Sequence, residues 1–103
     1  MYQLIVYVPI DSAEQVKNAI FSTGAGTLGH YSHCCFETRG NGQFLPSDQA
    51  QPAIGQPLQL SVVEELRIEL FCPAVNLDDA IQRLKEAHPY EHPVYAAIHI
   101  EQR

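Results

Sequence analysis

Leu66-Arg67-Ile68-Glu69-Leu70-Phe71-Cys72-Pro73, continued by Ala74-Val75-Asn76-Leu77-Asp78-Asp79-Ala80-Ile81, is the stretch on which the fold turns. Leu66, Ile68 and Leu70 alternate onto one face, the pattern of a half-buried strand. Pro73 has no amide hydrogen to give a ladder, so the strand stops there. Asn76 reads as a helix N-cap, its side-chain carbonyl suited to the first unpaired amides. Leu77, Ala80, Ile81, Leu84 and Ala87 then recur at helical spacing. The N-terminal half repeats this order. Tyr2 to Val8 is dense in β-branched and aromatic residues and ends at Pro9. Asp11, with Glu14 three residues on, forms a capping-box pattern. Ala13, Val16, Ala19 and Ile20 supply the helical stripe, and Gly24 closes it.

Working outward, residues 31–38 read as a second strand and Gly40-Asn41-Gly42 as the turn after it. From Phe44 to Leu60 the chain has four glutamines, three prolines and one glycine, with little periodicity. Loops of that length are usually functional or mobile. Pro89 and Pro93 bracket a further turn, and Val94–Ile100 reads as the last strand. The order is β-α-β-β-α-β with echoing halves, an α+β, ferredoxin-like plan. It predicts one domain over residues 1–103, with a four-stranded antiparallel sheet in the order 4-1-3-2 and both helices on one face. The strands at 31–38 and 94–100 become apolar edges carrying few of the charges that block pairing. They predict a homo-oligomer, a trimer before a dimer.

Composition narrows the function classes. Apolar residues make up 46% of the 103 and charged residues 17%, a globular balance. The net charge is −6 and the six basic residues are scattered, which argues against nucleic acid and anionic membrane as partners. No apolar run approaches the ~20 residues of a membrane span. Met1–Val8 lacks the basic region and cleavage site of a signal peptide. Three cysteines without regular spacing imply free thiols and a cytoplasmic setting.

Two segments hold most of the side chains able to bind metal or titrate near neutrality: His30-Tyr31-Ser32-His33-Cys34-Cys35-Phe36 and His88-Pro89-Tyr90-Glu91-His92-Pro93. His33, His88, Glu91 and His92 are the candidate metal ligands, with donors suited to zinc or copper. The structural alternative has His88 and His92 hydrogen-bonded to backbone in a proline-rigid turn. The topology separates His30 and His33 from His88 and His92, and brings the 43–62 stretch to the end of the sheet that holds the second pair. Catalysis by Cys34 or Cys35 would need an adjacent base, for which His33 is the neighbour; small core residues are the structural alternative. Gly24 to Gly29 has G-x-G-x-x-G spacing, but it follows a helix, whereas the dinucleotide fingerprint follows a strand.

Gly24-Ala25-Gly26, His30-Tyr31-Ser32-His33-Cys34, Gly42-Gln43-Phe44, Ile54-Gly55 and His88-Pro89-Tyr90-Glu91, in this order and spacing, resemble the stand-alone YqfO-type domain. This PII-like and CutA-like module is also inserted in the Nif-three-like metalloproteins, often called GTP cyclohydrolase I type 2. The resemblance covers essentially the whole chain. It implies a PII/CutA-like sandwich associating through sheet edges, commonly as trimers, with 43–62 in the place of the ligand-responsive loop of PII proteins. Asn41, Gln43, Phe44 and Tyr90 are then the candidate contacts for a small molecule. The dinuclear metal site of the larger proteins belongs to a flanking domain and does not transfer. This turn also departs from the family's, which continues with a second acidic residue and later an aspartate. His92 and Ala96 stand there, which shifts the expected chemistry from carboxylate toward histidine. The function expected is a non-enzymatic ligand- or metal-binding regulatory module. The rival is an enzyme, or enzyme subunit, of metal-dependent hydrolase type using His33, Cys35 or His88.

Overall fold

The computed structural model describes residues 1–103 as strand β1 (Tyr2–Pro9), helix α1 (Ala13–Phe21), strands β2 (Phe36–Phe44) and β3 (Ser61–Cys72), helix α2 (Leu77–Ala87) and strand β4 (Tyr95–His99). A single 3-10 turn precedes each helix, at Ile10–Ser12 and Ala74–Asn76. The four strands pair antiparallel in the order β2-β3-β1-β4, as the repeated strand-proline-helix pattern predicts.

Alternation decides which face is covered. Leu4, Val6 and Val8 of β1 and Ile68, Leu70 and Cys72 of β3 share one face. They are buried in a single core with Val16 and Ile20 of α1 and Ala80 and Leu84 of α2. Burying each larger aliphatic side chain contributes about 1.5–3 kcal/mol, so both helices are held to that face. The opposite face, with Tyr7, Arg67 and Glu69, carries no helix.

Strand β3 is longer than β1, and this shapes the functional end. Pro9, the last residue of β1, pairs with Glu65, while Ser61–Glu64 pair only with β2. Four residues of hairpin therefore overhang β1, a reach of about 13 Å at the usual rise per residue. The molecule is accordingly elongated, 46 × 23 × 23 Å.

The second strand is displaced from the expected 31–38. Residues 31–35 are not a strand: Leu28 and Tyr31 exchange backbone hydrogen bonds in a local turn, and His33 has φ +59°. His33 and Cys35 therefore do not alternate along a strand face. Gly40-Asn41-Gly42 is not a turn either, for its residues pair with Glu65, Glu64 and Val63 inside β2. The reason for the glycine is steric. A Cβ on Gly42 would overlap the Glu65 carboxylate, so any side chain at this strand position would have to displace it. Asn76 stands at the N-cap of α2 as expected, whereas Ser12 and not Asp11 stands at that of α1. Asp11 lies in the 3-10 turn, and neither helix has a side-chain cap hydrogen bond. Asn76 instead donates from Nδ2 to the Thr23 carbonyl at 2.8 Å, tying the two helix connections together.

Candidate ligand-binding site

The overhanging hairpin, the 45–60 loop and the 88–93 turn enclose a cavity of about 490 Å³ at the end of β1. Its wall comprises Tyr7, Glu65, the end of β2 from Asn41 to Phe44, the loop at Leu45–Pro46, Ala50 and Pro52–Ile54, and Tyr90–His92 with Val94. The volume falls in the range of small-molecule sites, roughly 300–1,000 Å³.

The turn is held from below. His88, only 6% exposed, ends α2. Its Nε2 lies 2.7 Å from the Tyr7 carbonyl and its Nδ1 accepts from the Tyr90 amide at 3.1 Å. A carbonyl can only accept and an amide can only donate, so the ring is the neutral tautomer protonated at Nε2. Burial lowers the His88 pKa, opposed by the Tyr7 backbone bond and by Glu65. Tyr90 stacks obliquely on His88 with ring centroids 5.0 Å apart and meets Phe44 edge-on at 5.8 Å. Its hydroxyl donates to Glu65 Oε2 at 2.7 Å. Burial and this bond to Glu65 raise the tyrosine pKa well above its ordinary value, which keeps the hydroxyl a donor. The loop closes the site when the Gln51 amide donates to Glu91 Oε1 at 3.3 Å.

Asn41, Gln43, Phe44 and Tyr90 all line this cavity, as do Glu91 and His92. His88 lies beneath it with both nitrogens engaged, the backbone-bonded arrangement that competes with metal ligation. His33 is elsewhere: its ring packs on Phe21 at 4.9 Å and bonds Ser32, at the end of the sheet where Gly26 donates to the Phe71 carbonyl. No group of three or more His, Cys, Asp or Glu side chains is arranged to hold a metal ion. No thiol is hydrogen-bonded to an imidazole, and burial raises the Cys35 thiol pKa. Sequence reasoning missed Glu65, 8% exposed, and Tyr7. The available signal was a second acidic residue at the head of an apolar strand, where an unpartnered charge is costly.

Comparison with known proteins places the chain. No protein-family model matches it. A Mycobacterium tuberculosis protein named GTP cyclohydrolase 1 type 2 homolog is 42% identical over 91 residues, covering 88% of this chain and 24% of that protein. The crystal structure of a Bacillus cereus protein related to NIF3 superposes with TM-score 0.83 at 37% identity, over 98% of this chain and 26% of that one. The periplasmic divalent cation tolerance protein CutA from Archaeoglobus fulgidus shares the fold at TM-score 0.69 and 15% identity, over 100% of this chain and 87% of that one. The chain spans about a quarter of the length of the curated relatives it matches.

Proposed function

We propose that this chain, a relative of a quarter-length segment of the NIF3-related GTP cyclohydrolase 1 type 2 homologues and CutA-like in fold, is a non-enzymatic module that binds a small molecule and assembles through its sheet edges. The cavity carries this reading. Three separate chain segments converge on it, its walls are largely apolar, and a few polar groups point inward, the pattern of a small-molecule site. The β2 and β4 edges each leave one side of a strand unpaired, which supports a homo-oligomer, a trimer before a dimer. Phe36, 68% exposed, and Ile98, 47% exposed, stand on the helix-free face and add apolar area for such a contact.

A divalent ion such as zinc or copper is the narrower form of the same reading, since the CutA relative is named for cation tolerance and Glu91 and His92 stand on the rim. A second copy would then bring the missing donors.

Thermal shift of the 103-residue chain against a panel of metabolites and divalent ions tests binding, beside an Ala53→Trp variant that fills the cavity from an exposed position. A stabilisation present in the parent and absent in the variant supports the pocket. Equal stabilisation in both places the ligand elsewhere. Light scattering at tens of micromolar checks assembly; a mass of one chain contradicts it.

A further inference from the structure

Resting on the reading of the cavity as a ligand site, we infer that its occupant is a small organic cation: an apolar or aromatic body bearing a protonated amine, amidine or guanidine that donates hydrogen bonds to Glu65.

Charge at the wall points this way. The cavity lining contains the carboxylates of Glu65 and Glu91 and no lysine or arginine. Glu65 makes no ion pair, because the nearby Arg67 guanidinium is committed to Glu69 at 3.2 Å. His88, beneath the site, has its pKa lowered by burial, and its Nδ1 accepts from the Tyr90 amide, so the ring supplies no countercharge. A carboxylate removed from water without a cationic partner is unfavourable, and an entering cation removes that cost.

Glu65 is also placed to receive one. Oε2 is occupied by the Tyr90 hydroxyl at 2.7 Å, while Oε1 accepts no hydrogen bond from the protein. Glu65 has no buried unpaired oxygen, so Oε1 remains within reach of a molecule from outside. Gly42 makes room for the carboxylate at the wall, since Oε1 sits where a Cβ at that position would lie. Around the carboxylate, the aromatic rings of Phe44 and Tyr90 and the apolar side chains of Pro46, Pro52 and Ile54 line the cavity. Aromatic faces attract cations as well as planar bodies. A phosphate- or carboxylate-bearing ligand would meet two like charges, with the His92 imidazole as the one basic side chain in the lining. The net charge of −6 adds a long-range preference of the same sign.

Benzamidine, benzamide and benzoate form a matched probe set of nearly equal shape and different charge. Amide chemical shifts of the full chain, followed during titration with each, read both site and affinity. The expected result is shifts at Gly42, Gln51 and Tyr90, with benzamidine at least about tenfold tighter than benzamide and benzoate weakest. Glu65→Gln removes the benzamidine advantage, so that benzamidine and benzamide bind the variant comparably. Glu65→Asp, which retracts the carboxylate by one methylene, gives an intermediate loss and serves if the glutamine variant fails to fold. Benzamide or benzoate binding the same amides as tightly as benzamidine overturns the cationic assignment and spares the cavity. Shifts confined to other regions, or none with any probe, overturn both.

Discussion

The two histidine-bearing segments occupy equivalent places in the two halves, each after a helix and before an edge strand, yet they have become different things. The segment after α2 is short, and His88 fastens it to β1 through the Tyr7 carbonyl. It stands at the end of the sheet where β3 overhangs β1, so the 45–60 loop folds against it and a cavity forms between them. The segment after α1 lies at the other end, where no such overhang exists. There His30, Tyr31 and His33 are exposed, and His33 leans on Phe21. The same residue types at matching positions therefore give about 490 Å³ of cavity where a second loop arrives, against about 280 Å³ beside Leu28 and Cys34–Phe36 at the other end. Local sequence sets the turn, while neighbouring strand lengths decide whether it becomes a pocket.

The sharpest way to break this comparison is to remove one histidine from each end. His88→Ala deletes a buried ring and two hydrogen bonds, with an expected loss of about 2–4 kcal/mol in urea denaturation. His33→Ala removes an exposed ring bonded only to its neighbour, and the expected change is within about 0.5 kcal/mol. Equal losses would remove the structural distinction between the two ends.

Strand β2 gives an internal version of the same test. Gly42→Ala pushes a methyl into the Glu65 carboxylate and is expected to cost about 1–3 kcal/mol. Gly40→Ala, two residues away, meets nothing within 4 Å and is expected to be near neutral or slightly stabilising. Thermal unfolding of the pair checks it.

Protonation separates the ends more gently. Burial holds His88 below its ordinary pKa of 6.5, so the unfolded chain takes up that proton first as pH falls. The contribution of His88 to stability is thus intact above pH 6.5 and declines as pH drops from there toward the folded-state value. Urea midpoints at pH 7.5 and 5.5 should fall more in the parent than in His88→Gln. An unchanged slope in the variant would assign the pH dependence to other groups. A modest effect is expected at the far end: Asn76→Ala loses the bond to Thr23, at about 1 kcal/mol by equilibrium unfolding, without altering the cavity.

These contrasts also explain what the sequence could and could not reveal. The architecture was legible because Pro9 and Pro73 end two strands in the same phase and each is followed by a helical stripe. The pseudo-repeat leaves few alternatives. The position of β2 is hidden in the sequence because Tyr31, Cys34, Cys35 and Phe36 mimic a strand and Gly40-Asn41-Gly42 mimics a hairpin turn. The glycine at 42 serves a distant carboxylate, a constraint absent from local propensity. Asn41, Gln43, Phe44 and Tyr90, which the family resemblance implies as contacts, line one cavity, and topology accounts for the loop and the turn sharing that end. Glu65 is not legible in this way, since the apolar alternation begins at Leu66 and local sequence carries no register against β2.

Hydrogen exchange of the full chain with and without saturating benzamidine tests the central claim most directly, because it reads both ends at once. The account predicts slowed exchange at the Gln51 and Tyr90 amides, where loop and turn meet, and no change from Gly24 to Cys35. Protection confined to the 24–35 segment, or spread evenly over both ends, would contradict it.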